Sequence, residues 1–151
     1  MLRIGKLTDY AMLIMSQMAK DPGTILSAAF LAETLHLTPP TVSKVLKMLS
    51  DACLVNSLRG AEGGYRLARP AAEISVADVI AAMEGELAMT ECCESSGLCA
   101  IDSLCAMREN WRKINKMVHA LLSRFTILDM TGPLFIKNIT EYTSAGLSDG
   151  K

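Results

Sequence analysis

Residues 27–52, "SAAFLAETLHLTPPTVSKVLKMLSDA", contain two helical patterns separated by a short break. Ser27 and Thr38 each stand directly before an apolar-periodic segment, where a side-chain oxygen can accept a hydrogen bond from an unpaired N–H group of the first turn. The two prolines after Thr38 suit that turn, because its N–H groups have no intrahelical partner to lose. Two capped helices joined by a short turn predict a helix-turn-helix.

A β-hairpin is predicted directly after the second helix. The strand-like segment 53–60, "CLVNSLRG", and the alternating segment 65–69, "YRLAR", flank the glycine-rich turn 60–64, "GAEGG". A hairpin in this place forms the wing of a winged helix. We therefore expect a mainly α fold with a small β-hairpin, made of a winged helix-turn-helix DNA-binding domain and a long dimerisation helix.

Two more helices are predicted to complete the first domain. Thr8 is the expected N-cap of "DYAMLIMSQMAK" (9–20), and Ser75 is the expected N-cap of "VADVIAAMEG" (76–85). The apolar run "ACLV" places Cys53 among the expected core residues.

A heptad pattern follows from residue 104 onward. Apolar residues recur there at alternating steps of four and three: Met107, Trp111, Ile114, Val118, Leu121, Phe125 and Leu128. Such a helix could lie on its own domain, but a seam sustained over about three heptads favours pairing with the same helix of a second chain. The expected organisation is a winged helix-turn-helix domain (1–85), a cysteine-rich cluster-binding loop (86–106), a dimerisation helix (107–130) and an irregular tail (131–151).

Charge is distributed unevenly along the chain, although the net charge is only −1. Residues 38–70 carry five basic and two acidic side chains, whereas residues 71–110 carry one basic and eight acidic ones. A local basic excess on a helix-turn-helix favours binding to double-stranded DNA, here a palindromic operator if the chain is a homodimer.

The expected DNA contacts lie at the start of the second helix of the helix-turn-helix and at the tip of the hairpin. They are Pro40, Thr41, Ser43, Lys44, Lys47, Arg59 and Gly60. Hydroxyls and ammonium groups can reach base edges or phosphates, and an arginine at a wing tip can enter a narrow minor groove. The alternatives are a merely solvated helix face or a winged helix that binds protein.

Membrane, secreted and enzymatic classes are not favoured. No uncharged apolar stretch approaches the roughly 18 to 20 residues of a membrane span, and the N-terminus "MLRIGKLTDY" lacks the apolar block of a signal peptide. Neither His36 nor His119 has a neighbouring nucleophile or paired carboxylate in the sequence. We expect a cytoplasmic protein that is not an enzyme and has no membrane partner.

Four of the five cysteines lie between residues 92 and 105. Cys93, Cys99 and Cys105 follow the spacing C-x5-C-x5-C, without the C-x2-C pair of most zinc sites. Three thiolates around an open loop favour an iron-sulfur cluster. A thiol switch, in which Cys92 and Cys93 are spare partners for a disulfide, is the second interpretation, and zinc is the third.

Three features of the sequence resemble the IscR/NsrR-type iron-sulfur winged-helix transcription regulators over residues 1 to about 130: "LTDYA" (7–11), "SLRGAEGGYRLAR" (57–69) and the three spaced cysteines. The resemblance implies that these cysteines are cluster ligands, that Arg59 is a wing contact and that the seam helix forms the dimer. It further implies a repressor that senses iron-sulfur cluster status and controls the genes of the SUF assembly system. The alternatives are a nitric-oxide- or redox-sensing regulator of the same fold, or a cluster-free thiol-switch repressor.

The fourth ligand departs from one pattern of this family. IscR-type members have a histidine three residues after the last cysteine, where this chain has Arg108, which stays protonated and cannot ligate. NsrR-type members use an aspartate near the N-terminus of the partner chain, and Asp9 matches that position. By this resemblance Asp9 is the first choice for the fourth ligand. Cys92 is the second choice, followed by Glu94 and His119, and both a 2Fe-2S and a 4Fe-4S cluster stay open.

Overall fold

The computed structural model describes residues 3–95, 99–101 and 104–134. Its elements, in chain order, are α1 (Lys6–Ala19), α2 (Ala28–Leu35), α3 (Pro39–Asp51), β1 (Val55–Leu58), β2 (Gly64–Leu67), α4 (Val76–Glu84), α5 (Glu91–Glu94) and α6 (Arg108–Arg124). Short 3-10 turns cover Ala71–Glu73 and Asp129–Thr131. The mainly α fold with one antiparallel hairpin is confirmed, whereas the predicted tail lies outside the described residues from 135 onward.

Helices α2 and α3 form the predicted helix-turn-helix. The Ser27 hydroxyl accepts a hydrogen bond from the Phe30 N–H at 3.1 Å, as an N-cap should. His36 then adopts a left-handed conformation (φ 53°), which ends α2 and turns the chain. Thr38 occupies the N-cap position of α3, but its hydroxyl lies 2.7 Å from the Thr41 hydroxyl and makes no cap hydrogen bond.

The core is formed inside a single chain. Helix α1 packs against α3 and α4, and its buried face meets side chains from α2 and the hairpin. The largest fully buried residues are Ile14, Met15, Leu31, Leu46, Leu49, Ile74 and Ile127. Within the described residues, no helix is both long and apolar enough to cross a lipid bilayer.

The hairpin is attached to the helix-turn-helix by an additional bridge. Val55 pairs with Leu67 and Leu58 with Gly64 in the antiparallel register. Tyr65 also exchanges two backbone hydrogen bonds with Leu26, of 2.8 and 2.9 Å. A side chain at Gly64 would place its Cβ 2.6 Å from the Leu26 carbonyl oxygen, so this bridge requires glycine.

Two expectations about single residues are wrong. Helix α1 begins at Lys6 with Gly5 as its N-cap, so Thr8 lies inside the first turn, where it is buried. Cys53 is exposed rather than in the core, because it adopts a left-handed conformation (φ 58°) after α3. That reversal of the chain directs the next residue, Leu54, into the core instead.

Helix α6 is shorter than the predicted segment 107–130. It ends at Arg124, and the chain then runs back along α4, where the Phe125 carbonyl accepts a hydrogen bond from the Val76 N–H and the Ile127 N–H donates one to the Ile74 carbonyl, both at 2.8 Å. Ile127, which is not part of the heptad pattern, is fully buried in the core. The seam is therefore continuous in sequence, but only its part from Trp111 to Leu121 lies on α6.

Candidate DNA-binding surface and cysteine loop

The predicted DNA-contacting residues of α3 share its outward face. Val42, Val45, Leu46 and Leu49 point into the core, which leaves the intervening positions at the surface. Pro40, Ser43, Lys44 and Lys47 are exposed, and Thr41 is half-buried. The register of the buried positions thus decides that these polar side chains face solvent.

Lys47 is held by an acidic neighbour on the same helix. Its ammonium lies 2.7 Å from an Asp51 carboxylate oxygen one turn further along α3, and both side chains are well exposed, at 76% and 66%. The hydrogen bond to Asp51 and its negative charge raise the pKa of Lys47. To bind a DNA phosphate, Lys47 would therefore have to exchange its ion pair with Asp51 for one with the phosphate.

The hairpin tip presents the second group of predicted contacts. Arg59 and Gly60 are exposed in the turn between β1 and β2, and Gly60 has a φ of +119° that favours glycine. Arg66 is exposed on β2 and adds a cation that the sequence interpretation did not single out. Arg69, which contributed to the local basic excess, instead donates to the Asp78 carboxylate and to the Glu73 carbonyl, each at 3.0 Å.

The first two cysteines of the loop lie on α5. Cys92 is buried and Cys93 half-buried on this single helical turn, and the Thr90 hydroxyl lies 3.1 Å and 3.2 Å from their sulfur atoms. Cys99 and Cys105 are half-buried further along the loop, and all of these thiols are free. Cys93, Cys99 and Cys105 therefore present partly accessible thiols of the kind that bind iron-sulfur clusters.

Helix α6 supports this loop through polar side chains that the sequence analysis did not identify. Asn115 donates to the Leu87 carbonyl at 2.8 Å and accepts from the Met89 N–H at 3.0 Å. The Arg112 Nε donates to the Cys92 carbonyl at 3.2 Å. These contacts join residues 20 to 28 positions apart, so no local sequence signal could have revealed them.

The described thiols of one chain lie in no group that could hold a metal ion by itself. Among residues 3–95, 99–101 and 104–134, no three His, Cys, Asp or Glu side chains are grouped so that they could hold a metal ion. Cys93 instead lines a groove of about 340 Å³ between α4 and α6, which His119 and Lys116 also line. Asp9 is exposed in the first turn of α1. The donor atoms have the right chemistry, whereas their arrangement in a single chain leaves the three spaced cysteines apart.

The comparison with known families decides the class of protein. The family described as "Rrf2: Iron-dependent Transcriptional regulator" matches residues 4–133. The chain belongs to the Rrf2 family. The expectation that this protein is not an enzyme is confirmed, since its family and the relatives that it matches are transcriptional regulators.

Two relatives illustrate the match in sequence. A protein of Mycobacterium tuberculosis named as an HTH-type transcriptional regulator is 30% identical over 141 residues, which cover 93% of this chain and 88% of the relative. Another so named, from Neisseria meningitidis serogroup B, is 34% identical over 123 residues, covering 82% and 81%.

Solved structures of similar fold include two kinds of regulator. CymR, the global cysteine regulator of B. subtilis, has a TM-score of 0.69 at 30% identity and covers 87% of this chain and 97% of its own. IscR of T. potens has a TM-score of 0.65 at 27% identity and covers 99% and 94%. The oxidized form of Staphylococcus aureus CymR has the same TM-score and identity as IscR and covers 89% and 100%. The winged-helix regulator fold is therefore shown.

Proposed function

We propose that this Rrf2 regulator is a homodimeric, cytoplasmic repressor that binds a palindromic operator and senses iron-sulfur cluster status through its cysteine loop. The observation that carries the proposal is that the loop rests on α6, the helix whose apolar face is left uncovered. A change in the loop would therefore act on the surface through which two chains pair.

The dimer is proposed from the surface of α6. None of its residues is buried, although Ile114, Met117 and Leu121 are apolar and between 40% and 47% exposed. A second copy of α6 would cover this face, since identical helices with a heptad seam pair readily. In a two-fold dimer, the two α3 helices would have to lie about one DNA turn apart, roughly 34 Å.

The DNA contacts are proposed from position and charge. Helix α3 would enter the major groove with Pro40, Thr41, Ser43, Lys44 and Lys47, and the wing would add Arg59 and Gly60. Exposure of the α3 residues and the wing tip supports this assignment. The positive side chains would bind phosphates or guanine edges, and the hydroxyls would bind base edges.

The cluster is proposed on Cys93, Cys99 and Cys105. Their free, partly accessible thiols, the iron-dependent description of the family and the similarity to IscR support this assignment. The fourth ligand is proposed to be Asp9 of the second copy, with Cys92 as the alternative, and the cluster to be of the 2Fe-2S or 4Fe-4S type. A bound cluster would supply bonds that draw distant parts of the loop together, and its loss would release the operator of SUF assembly genes.

A thiol switch without a cluster is the second candidate. Cys92 and Cys93 are adjacent on α5, and the Thr90 hydroxyl lies close to both sulfur atoms. An oxidized form of CymR is among the similar structures. Oxidation of these thiols, or nitric oxide acting on a cluster, would then be the signal in place of iron-sulfur supply.

Anaerobic purification tests the cluster directly. We expect iron, sulfide and visible absorbance in the wild-type protein, and loss of all three in Cys93→Ser, Cys99→Ser and Cys105→Ser. Cys53→Ser is the matched control, because Cys53 is exposed outside the loop. A colourless wild-type protein whose operator binding depends on a disulfide would establish the thiol switch instead.

DNA binding is tested separately on a fragment from upstream of SUF genes. Arg59→Ala is expected to weaken binding about tenfold, equivalent to about 1.4 kcal/mol, without changing the cluster absorbance. Lys113→Ala removes an exposed cation from α6 and should leave binding unchanged. Equal effects of the two substitutions would contradict a specific role for the wing tip.

A further inference from the structure

The start of α1 is capped by a residue from a different helix. The first N–H groups of any α-helix have no intrahelical partner, and Gly5, the N-cap here, has no side chain to supply one. Glu84, the last residue of α4, takes that role. Its Oε1 accepts a hydrogen bond from the Gly5 N–H at 2.8 Å and another from the Thr8 hydroxyl.

This arrangement reproduces one half of a capping box, with the accepting carboxylate supplied by another helix. In an ordinary capping box, a Glu or Gln at the third helical position reaches back to the N-cap N–H. That position is Thr8, whose side chain is too short, so its hydroxyl donates to the carboxylate of Glu84 instead. Thr8 is only 1% exposed, and Glu84 satisfies its buried hydroxyl. A negative charge at this end of α1 is also favoured by the helix dipole.

The fit between Gly5 and Glu84 leaves little space. A Cβ at position 5 would lie 3.1 Å from Glu84 Oε1, which is closer than ordinary contact. The absence of a side chain at Gly5 thus allows the carboxylate to approach the backbone. The point at which α1 begins therefore depends on the position of the end of α4.

The same end of α4 leads directly into the cysteine loop. Gly85, with φ +88°, turns the chain away immediately after Glu84. The next residues are then held by α6, through Asn115 at Leu87 and Met89. A single short segment is thus anchored to α1 at one end and to α6 at the other.

We propose that Glu84 is a positioning residue that couples the cysteine loop to the DNA-binding helices. This proposal rests on the proposed function in one respect, namely that the state of the thiols alters the conformation of the loop. Displacement of the loop would pull on Glu84, release the start of α1 and so shift α3, against which α1 packs. The same contact would set the position of Asp9, which directly follows Thr8.

Hydrogen exchange of the full-length, cluster-free protein tests the contact itself. Glu84→Ala should speed amide exchange at residues 5–9 about tenfold or more, and Glu84→Gln less, because glutamine keeps an acceptor but not the charge. Thr8→Val should also speed exchange at residues 86–90, although Thr8 belongs to α1. Glu73→Ala, which removes an exposed carboxylate elsewhere, should change neither segment. Unchanged exchange at 86–90 in Thr8→Val would overturn the coupling.

Operator binding tests its consequence. Wild-type protein should bind more tightly with the cluster than without it, and in Thr8→Val and Glu84→Gln that ratio should fall about fivefold or more, at equal iron content. A ratio equal to the wild-type value would overturn the proposal. If the wild-type protein holds no iron, the proposed function fails, whereas the exchange experiment still decides whether Glu84 couples the two segments.

Discussion

Helices α1 and α6 have similar lengths, 14 and 17 residues, but opposite surroundings. Helix α1 has seven buried residues, whereas α6 has none. Both carry an apolar stripe. That of α1 is buried against other elements, whereas Ile114, Met117 and Leu121 of α6 stay exposed within the described residues. The winged helix therefore has its own core, while α6 keeps an exposed apolar face within the described residues, which we propose is covered by a second copy.

The largest effect should come from the core in which α1 packs against α3. Leu46→Ala, at a fully buried position, should lower the free energy of unfolding by about 2 to 5 kcal/mol. The loss arises because the surrounding side chains cannot refill the cavity that alanine leaves, and urea unfolding measures it. Leu134→Ala, at an exposed position, is the control and should have little effect. A cost below about 1 kcal/mol for Leu46→Ala would mean that α3 is not anchored as described.

The second effect concerns α6 and should appear in assembly, not in folding. Leu121→Asp places a charge on the uncovered apolar face and should raise the dimer Kd about 100-fold, equivalent to about 2.7 kcal/mol. Sedimentation equilibrium measures it. Ala120→Asp adds the same charge at an exposed neighbouring position and should act much more weakly. Comparable dimer constants for both variants would show that the seam is not the interface.

A smaller effect is expected at the start of α4. Ser75 and Asp78 form a capping box there, in which each side chain bonds the other's backbone N–H at 3.1 and 2.9 Å. Ser75→Ala should lower the free energy of unfolding by about 1 kcal/mol, and Ser75→Thr, which keeps the hydroxyl, should recover most of it. Thermal unfolding of the three proteins measures these differences. Equal stability of the alanine and threonine variants would contradict a capping role for the hydroxyl.

The smallest effect should be a dependence on pH. Partial burial alone would raise the pKa of Asp78, but the hydrogen bonds from Ser75 and the charge of Arg69 outweigh it and lower that pKa below 3.8. The folded state therefore binds the proton less readily than the unfolded state, and the stabilisation is lost as the pH falls from 3.8 through the lowered value. Because the side chain is 41% exposed, solvent screens the pair, and we expect only about 0.5 kcal/mol. Urea unfolding at neutral pH and at about pH 3 should show a larger loss in the wild type than in Asp78→Asn, in which only the other carboxyl groups titrate.

Local signals predicted the elements that local chemistry specifies. Ser27 and Ser75 were recognised as N-caps because the accepting oxygen and the donating N–H are three residues apart. The same reasoning failed at Thr8, whose hydroxyl serves a distant carboxylate. It failed at Cys53 because a left-handed residue at a helix end reversed the direction that the apolar run suggested.

The sequence predicted which residues belong to the candidate site better than it predicted how they are arranged in space. The exposed face of α3 followed from its helical period, and the thiols followed from their spacing. Arg112 and Asn115 were missed because they are polar positions on a helix that was interpreted through its apolar seam alone. The spacing predicts that the three thiols share one cluster, but it does not predict how they lie relative to one another, since loops follow no fixed period.

The sequence by itself determined the winged helix, the heptad seam and the concentration of sulfur in one loop, because caps, turns and apolar periods act between residues a few positions apart. Only the tertiary structure decided that Glu84 caps α1 across 79 positions, that Ile127 completes the core and that Asn115 holds the loop on α6. Contacts of this kind arise when distant segments pack, and no short-range pattern in the sequence reveals which of them will meet.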